Sequence, residues 1–583
     1  MRFAVLPQTR ETGSVEGPRP NPCLWHCHPH LIKSMNDAPC PFQRPSFVPP
    51  MRGNRLLALL ILCFSSLSIF ASSKPNIVFI LADDWGMGDI RFYGGERCKI
   101  DTPNMDALAA QGMAFTDAHS SSSVCTPSRY SVLTGRYNWR SERKNGVLNG
   151  TGAPLILPAR ETVASLLQTA GYATACIGKW HLGLDLPTTD GTPPQFTAKT
   201  AAELATKCNI DWSGRIGNSP VAVGFDYFWG ISASLDMPPY IWIENDRFVG
   251  ECTTIKAFNR PGPAHADFEA IDVLPTLVEK ATGFISAQSQ SDQPFFLYMP
   301  LNSPHTPIVP SVAFQGKSAL GAYGDFVMET DWAVGAVVAA LEKAGLAENT
   351  LIIVTADNGC SPASSRGIPE GMLQFTMEDG VSTDLSRHYP SITYRGHKAD
   401  IYEGGHRVPF VARWDGTTAP GSVADQPICL VDLFATCAEM VGVEVSATSA
   451  EDSISFLPIL TGATQDPIRT DVVHHSINGS FSLRQGSWKM VFCPGSGGWS
   501  APRPQTFKQV PPTAWYQLFD LENDPSEQTN VIVLHPETAE RMTQLMQQYI
   551  AAGRSTPGAP QPNDGLATPL HPDWMIKAME ATE

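Results

Sequence analysis

Cys125-Thr126-Pro127-Ser128-Arg129 sets a thiol two positions before a proline and four before an arginine, and Leu133-Thr134-Gly135-Arg136 follows shortly after. Elsewhere the chain carries adjacent carboxylates at Asp83-Asp84, an acid–amide pair at Asp357-Asn358, and cationic or imidazole groups at Lys179, His181, His305 and Lys398. Carboxylate and amide oxygens are the donors that a hard divalent cation takes. Lysine, arginine and histidine bind anions and move protons. Together these residue types could hold a divalent cation against an anionic ester.

Taken singly, each admits a plainer reading. Asp83-Asp84 could be a solvated turn, Asp357-Asn358-Gly359 an Asn-Gly turn, and Lys179-Trp180-His181 a surface loop. His305 could be a loop histidine and Lys398 a solvated lysine. Cys125 could be a buried thiol, the commonest fate of a free cysteine, or a thiol nucleophile in its own right.

The elements that must position these groups argue for the chemical reading. The run over 75–82 suits a central strand of a parallel sheet. Further strands are expected over 172–177, 295–298, 351–355 and 409–413, and helices follow Thr102-Pro103 and lie over 161–167, 323–343 and 430–440. Strands alternating with helices define an α/β fold with a mostly parallel sheet. Asp83-Asp84, Lys179-His181, His305 and Asp357-Asn358 then follow strand ends, where ligand crevices form. A helix starting near Pro127 would put residue 125 at its N-terminus, where anions are stabilised. Beyond about 466 the pattern changes to short strands over 480–483, 488–492 and 517–519 and a helix over 537–552, a smaller α+β domain on a short antiparallel sheet.

The motif Cys125 to Arg129 with Leu133 to Arg136, and Lys398 through Glu403-Gly404-Gly405 to Val408-Pro409, resembles the type I sulfatases, on the arylsulfatase A and N-acetylgalactosamine-6-sulfatase side of that family. The resemblance covers the chain from Asn76 to about Pro536. It implies an alkaline-phosphatase-like fold, one Ca²⁺ per chain held by Asp83, Asp84, Asp357, Asn358 and residue 125, and a Cys125 oxidised to formylglycine by the formylglycine-generating enzyme. Hydrated, that aldehyde would attack sulfur and leave a sulfated hemiacetal. Arg129 and Lys179 would clamp the sulfate, His305 and Lys398 would serve the leaving oxygen, and His181 would take the proton that releases sulfate. The implied substrate is a sulfated small molecule or carbohydrate. A phosphonate or phosphate ester hydrolase of the same superfamily and an inactive sulfoglycan-binding protein are the competing readings.

The formal net charge of −16 speaks against nucleic acid, which needs clustered basic residues. It leaves room for a local basic pocket that takes one anionic group. From Met51 a basic start, an apolar run to Phe70 and Ala71-Ser72-Ser73 read as a signal peptide. Export to the periplasm or outside is therefore expected, with no membrane span in the mature protein. The boundaries are 1–50 as an unstructured upstream extension, 51–73 as signal peptide, 74–465 as catalytic domain, 466–553 as the α+β domain and 554–583 as a loosely packed Pro-rich tail. Outside Cys125, eight cysteines remain beyond the signal segment, an even number compatible with disulfides in an oxidising compartment. The 190–218 region and the 360–388 loop are expected to rim the pocket.

Overall fold

The computed structural model describes residues 74–365, 368, 371–374, 384–503, 514–565, 567–571 and 573–580. The upstream extension and the signal segment lie outside these residues. Ala71–Glu583 forms one compact unit.

Its centre is a ten-stranded mixed sheet. Five neighbouring strands, Thr350–Ala356, Asn76–Ala82, Phe295–Pro300, Ala173–Lys179 and Tyr227–Ile231, run parallel in that order. All seven residues of Asn76–Ala82 are buried. That is why this strand reads as an unbroken apolar stretch instead of an alternating one. Phe410–Arg413 pairs antiparallel with Thr350–Ala356, and the sheet continues outward through Met113–Phe115 and Ser422–Ala424. Helices flank it in two groups. One is Cys125–Thr134, Val163–Thr169 and Leu433–Val441; the other is Pro103–Gln111, Val273–Gln288 and Gly321–Lys343.

Register decides where the chemistry gathers. Ala82 lies opposite Ala356 and Leu81 opposite Pro300, so Asp83, Asp357 and the 301–305 loop leave the sheet at one rim. Lys179 ends its strand opposite Ile231 at the same rim.

A four-stranded antiparallel sheet, Asp471–His475, Phe481–Gln485, Trp488–Val491 and Gln517–Asp520, carries the helix Pro536–Ala552. Its apolar face closes over Tyr137 and Trp139, which follow the Cys125 helix in the chain.

Three expectations change. The motif helix begins at Cys125 itself, with Val124 as N-cap, and Pro127 sits inside the first turn, where its missing N–H breaks no helical hydrogen bond. All nine cysteines of the described residues are free thiols. Cys176 and Cys437, for example, are buried in the apolar core, so the even count reflects packing and not pairing. The segment after Ala552 is also tied down. Arg136 Nη1 donates to Asp564 Oδ2 (2.7 Å) and Nη2 to the Pro562 carbonyl (2.8 Å), and Arg140 Nη1 donates to Asn563 Oδ1 (3.3 Å). Arg136, the last residue of the second motif half, thus works as a structural clamp.

Candidate active site

Asp83, Asp84, Asp357, Asn358, Cys125, Arg129, Lys179, His181, His305 and Lys398 are all buried, and direct contacts link all of them but His181, which is held through Thr126, into one cluster. Lys179 Nζ meets Asp83 Oδ2 at 2.6 Å. Lys398 Nζ meets Asp84 Oδ1 at 2.7 Å and Cys125 Sγ at 3.6 Å. Arg129 Nε donates to Asp357 Oδ2 at 2.9 Å, and its Nη2 lies 2.7 Å from the same oxygen. Cys125 Sγ lies 3.5 Å from Asp83 Oδ1, and His305 Nε2 lies 3.7 Å from Asp84 Oδ2.

The loops are held to this shape by main-chain bonds. Asp83 N–H donates to the Ser303 carbonyl and Asp357 N–H to the Ala82 carbonyl. Gly359 N–H reaches the Gly405 carbonyl at 3.0 Å, so close that a Cβ on Gly359 would stand 1.9 Å from the Gly404 carbonyl oxygen. This contact is the physical content of the Glu403-Gly404-Gly405 motif. Asp84 and His181 both sit at positive φ, +66° and +57°, a conformation costly for residues with side chains and concentrated at functional sites.

Electrostatics separates the roles. Burial works to raise the Asp83 carboxyl, but Lys179, His305, Arg129 and Lys398 outweigh it and hold it well below the usual range. At Asp357 burial and the neighbouring Asp83 prevail over Arg129, and the carboxyl is raised. Burial pushes the Cys125 thiol up to about 12. It is therefore protonated at neutral pH, and since the thiolate is the nucleophilic form, the unmodified thiol is a poor nucleophile. His181 is driven well below its ordinary value by burial and by Lys179. Its Nε2 faces the Leu148 carbonyl at 2.8 Å, which fixes the proton there and leaves buried Nδ1 as an open lone pair.

The residues suit a hard cation. Asp83, Asp84, Cys125 and His305 each offer an atom within 4.8 Å of the others. Asp357 Oδ1 accepts from the Asp84 N–H at 3.2 Å, and the Asn358 amide donates to Asp84 Oδ1 at 2.7 Å. Asn358 Oδ1 is buried with no protein partner. Three carboxylates and an orphaned amide oxygen form the all-oxygen donor type that Ca²⁺ takes. A second buried cluster, His119, His406 and His474, is no such site. The His406 and His474 rings stack at 3.6 Å and 15°, so their in-plane lone pairs run parallel and do not converge. Lys489 Nζ and Arg484 Nη1 also lie 3.0 and 2.9 Å from His406 Nε2 and His119 Nε2.

Above the cluster opens a cavity of about 560 Å³, whose wall includes Cys125, His181, His305 and Lys398. Ser361, Pro362 and Ala363 come from the expected 360–388 loop, part of which lies outside the described residues. No residue of 190–218 lines it. Ser234, Asp236 and Met237, after the Tyr227–Ile231 strand, line it too, as do Asn259 and Arg260, at the tip of the Thr254–Phe258/Arg260–Ala264 hairpin. Sequence reasoning passed over these residues, because Gly230 interrupts the short strand before the first group and the prolines of the hairpin weaken its strand signal. It also passed over Thr126, whose hydroxyl donates to the His181 carbonyl and accepts from the Leu148 N–H. Its place inside the Cys125–Arg129 motif was the available signal.

The α/β body thus brings buried carboxylates and cations together at one sheet rim beneath a cavity, and sequence comparison supplies the class. The family model described as Sulfatase matches residues 75–443. The chain is 32% identical over 519 residues to N-acetylgalactosamine-6-O-sulfatase of Bacteroides thetaiotaomicron, covering 82% of this chain and 93% of that one. It is 32% identical to arylsulfatase A of Bos taurus (82% and 87% covered) and 30% identical to steryl-sulfatase of Rattus norvegicus (85% and 92%). A solved structure from work on glycosaminoglycan metabolism by Bacteroides thetaiotaomicron superposes with a TM-score of 0.68 at 30% identity, covering 82% of this chain and 99% of that one. A phosphonate monoester hydrolase from Silicibacter pomeroyi, with a TM-score of 0.51, 19% identity and 82% and 95% covered, shares the fold. The chain belongs to the sulfatase family: it is a sulfuric ester hydrolase with an alkaline-phosphatase-like fold.

Proposed function

We propose that this sulfatase is exported and desulfates sugars of the glycosaminoglycan type, using residue 125 as formylglycine and one bound Ca²⁺. The observation that carries the proposal is the position of Cys125. It is the first residue of a buried helix, 3.5 Å from Asp83 and 3.6 Å from Lys398, on the wall of the cavity. A protonated thiol there contributes little chemistry, whereas an aldehyde hydrate would place a hydroxyl among three cations. The names of the N-acetylgalactosamine-6-O-sulfatase and of the glycosaminoglycan structure support the substrate class.

Asp83, Asp84, Asp357, Asn358 and residue 125 would hold the ion. Bound calcium would lower the pKa of a coordinated hydroxyl and neutralise sulfate charge. The remaining steps belong to the chain. The three carboxylates and the cations Arg129, Lys179 and Lys398 offset one another, so with a dication held there the pocket would carry net positive charge for an anionic ester. Arg129 and Lys179 stay pinned by Asp357 and Asp83 and orient that pocket without rearranging, the condition for electrostatic catalysis. Lys398 and His305, at the cavity wall, meet the oxygen of the departing alcohol. His181 Nδ1 accepts the proton whose removal frees sulfate.

The apolar segment before Ser73 supports export, and a formylglycine-generating enzyme is the maturation partner the proposal requires. Mass spectrometry of the peptide containing residue 125, from protein made in a host with that enzyme, tests the reading. The aldehyde mass together with aryl sulfate turnover is expected; full turnover by protein carrying only the thiol refutes it.

A further inference from the structure

The cavity that Cys125, His181, His305 and Lys398 line also carries polar groups that the hydrolysis of a sulfate ester does not use. Asp236 is 6% exposed and Ser234 1%. No protein donor reaches Asp236 Oδ1, and the Ser234 hydroxyl has no protein partner. The other carboxylate oxygen, Asp236 Oδ2, lies 3.5 Å from Arg260 Nη2. All three residues line the same cavity as Cys125, His181 and Lys398, and so do the apolar side chains of Met237 and Trp499.

Their position follows from the fold. The strand Tyr227–Ile231 runs parallel to Ala173–Lys179, and His181 N–H donates to the Ser232 carbonyl. The loop holding Ser234 and Asp236 is therefore fixed to the backbone of a residue that works on the ester. Cis Pro238-Pro239 follows it. Arg260 comes from the separate hairpin.

We infer that Ser234, Asp236 and Arg260, with Met237 and Trp499, form a subsite for the alcohol half of the substrate, and that this half is a pyranose with free neighbouring hydroxyls. The inference rests on the sulfatase reading and narrows it. A pyranose presents hydroxyls at its edge and C–H groups on its face. A carboxylate accepts from one hydroxyl while a guanidinium beside it donates to the next, and an indole covers the C–H face. A sterol offers one end of a hydrocarbon. Held in this cavity it would leave Asp236 buried against carbon, an arrangement that is strongly disfavoured. The wall therefore selects sugar sulfates, although relatives of similar identity include steryl-sulfatases.

The test compares kcat/KM for N-acetylgalactosamine 6-sulfate and for 4-nitrophenyl sulfate, whose aryl ring has no hydroxyls, in the wild-type enzyme and in Asp236→Ala and Asp236→Asn. The ratio of sugar to aryl ester is expected to fall by about a hundredfold in Asp236→Ala, because a site built to bond hydroxyls discriminates strongly through them. Asp236→Asn keeps the shape and is expected to fall less. An unchanged ratio in both variants overturns the subsite. So does a wild-type enzyme that hydrolyses the aryl ester and no hexose sulfate. A wild-type enzyme inert toward both esters brings down the sulfatase reading first and the subsite with it.

Discussion

Arg129 and Asp357 form a completely buried ion pair in which Nε donates to the carboxylate oxygen Oδ2 at 2.9 Å and Nη2 lies 2.7 Å from the same oxygen. The pair joins the motif helix to the loop after Thr350–Ala356 across 228 residues of sequence. Asp357 Oδ1 meanwhile accepts from the Asp84 N–H. One residue of the Cys125–Arg129 motif thus holds Asp357, and through it the Asp84 backbone, in register with the helix that starts at Cys125.

Removing one partner of such a pair leaves an uncompensated buried charge, typically about 3–5 kcal/mol. Arg129→Met is expected to lose stability of that order in urea unfolding with chelator present. Arg129→Met combined with Asp357→Asn should recover part of it, since neither charge then remains. Simple additivity of the two losses would show that the pair is not coupled.

Cys125→Ala should abolish sulfate ester hydrolysis while shifting the melting temperature by only a few degrees, since it removes a single buried sulfur atom. Wild-type turnover in that variant would end the case for residue 125 as nucleophile.

Calcium removal should act on both activity and stability. Binding to the native state alone stabilises by about 2.7 kcal/mol when the free ion stands at a hundred times its Kd. Chelation is therefore expected to lower the melting temperature and the turnover together, and added Ca²⁺ should restore both. Asp84→Asn should blunt the thermal response. An identical melting curve with chelator and with calcium would refute the metal assignment.

Gly359→Ala would push a methyl group into the Gly404 carbonyl, 1.9 Å away. The loop carrying Asp357 and Asn358 must shift in response. A displacement of about 1 Å costs on the order of 10² in rate, so kcat should fall far more than overpacking, about 1–3 kcal/mol of stability, would suggest. Turnover of a folded Gly359→Ala enzyme checks this directly.

Acid stability should depend on His475, whose imidazole is lowered to about 4 by burial. Its stabilising contribution is complete above the unfolded value near 6.5 and is lost as pH falls toward 4, because the unfolded chain takes up the proton first. The full effect is about 3 kcal/mol. His406 and His474 are lowered well below their ordinary values by burial and act in the same direction. Urea midpoints at pH 4.5 and 7.5 should differ less in His475→Gln than in the wild type.

Much of this was legible in the linear chain. Buried parallel strands announce themselves as unbroken apolar runs, so 75–82, 295–298 and 351–355 marked the core and therefore the rim at which Asp83, His305 and Asp357 emerge. Boundaries moved by one or two residues, enough to make Lys179 the last residue of its strand rather than part of the loop. The tail was misread because composition reports turn-forming tendency and not the buried arginines, Arg136 and Arg140, that bind it from more than 400 positions away.

The sequence by itself determined the α/β class and the small antiparallel sheet, which depend on local periodicity, and it marked Asp83, Lys179, His305 and Asp357 by their places at strand ends, while Cys125 and Lys398 stood out only through the family resemblance. Only the tertiary structure decided which of those groups touch, which nitrogen of His181 is open, that the described cysteines stand alone and that Asp236 and Arg260 share a cavity with Cys125. These are matters of register between strands far apart in the chain, as with Asp84 and Asp357, 273 residues from one another. Local pattern carries no record of a contact that exists only once the sheet has closed.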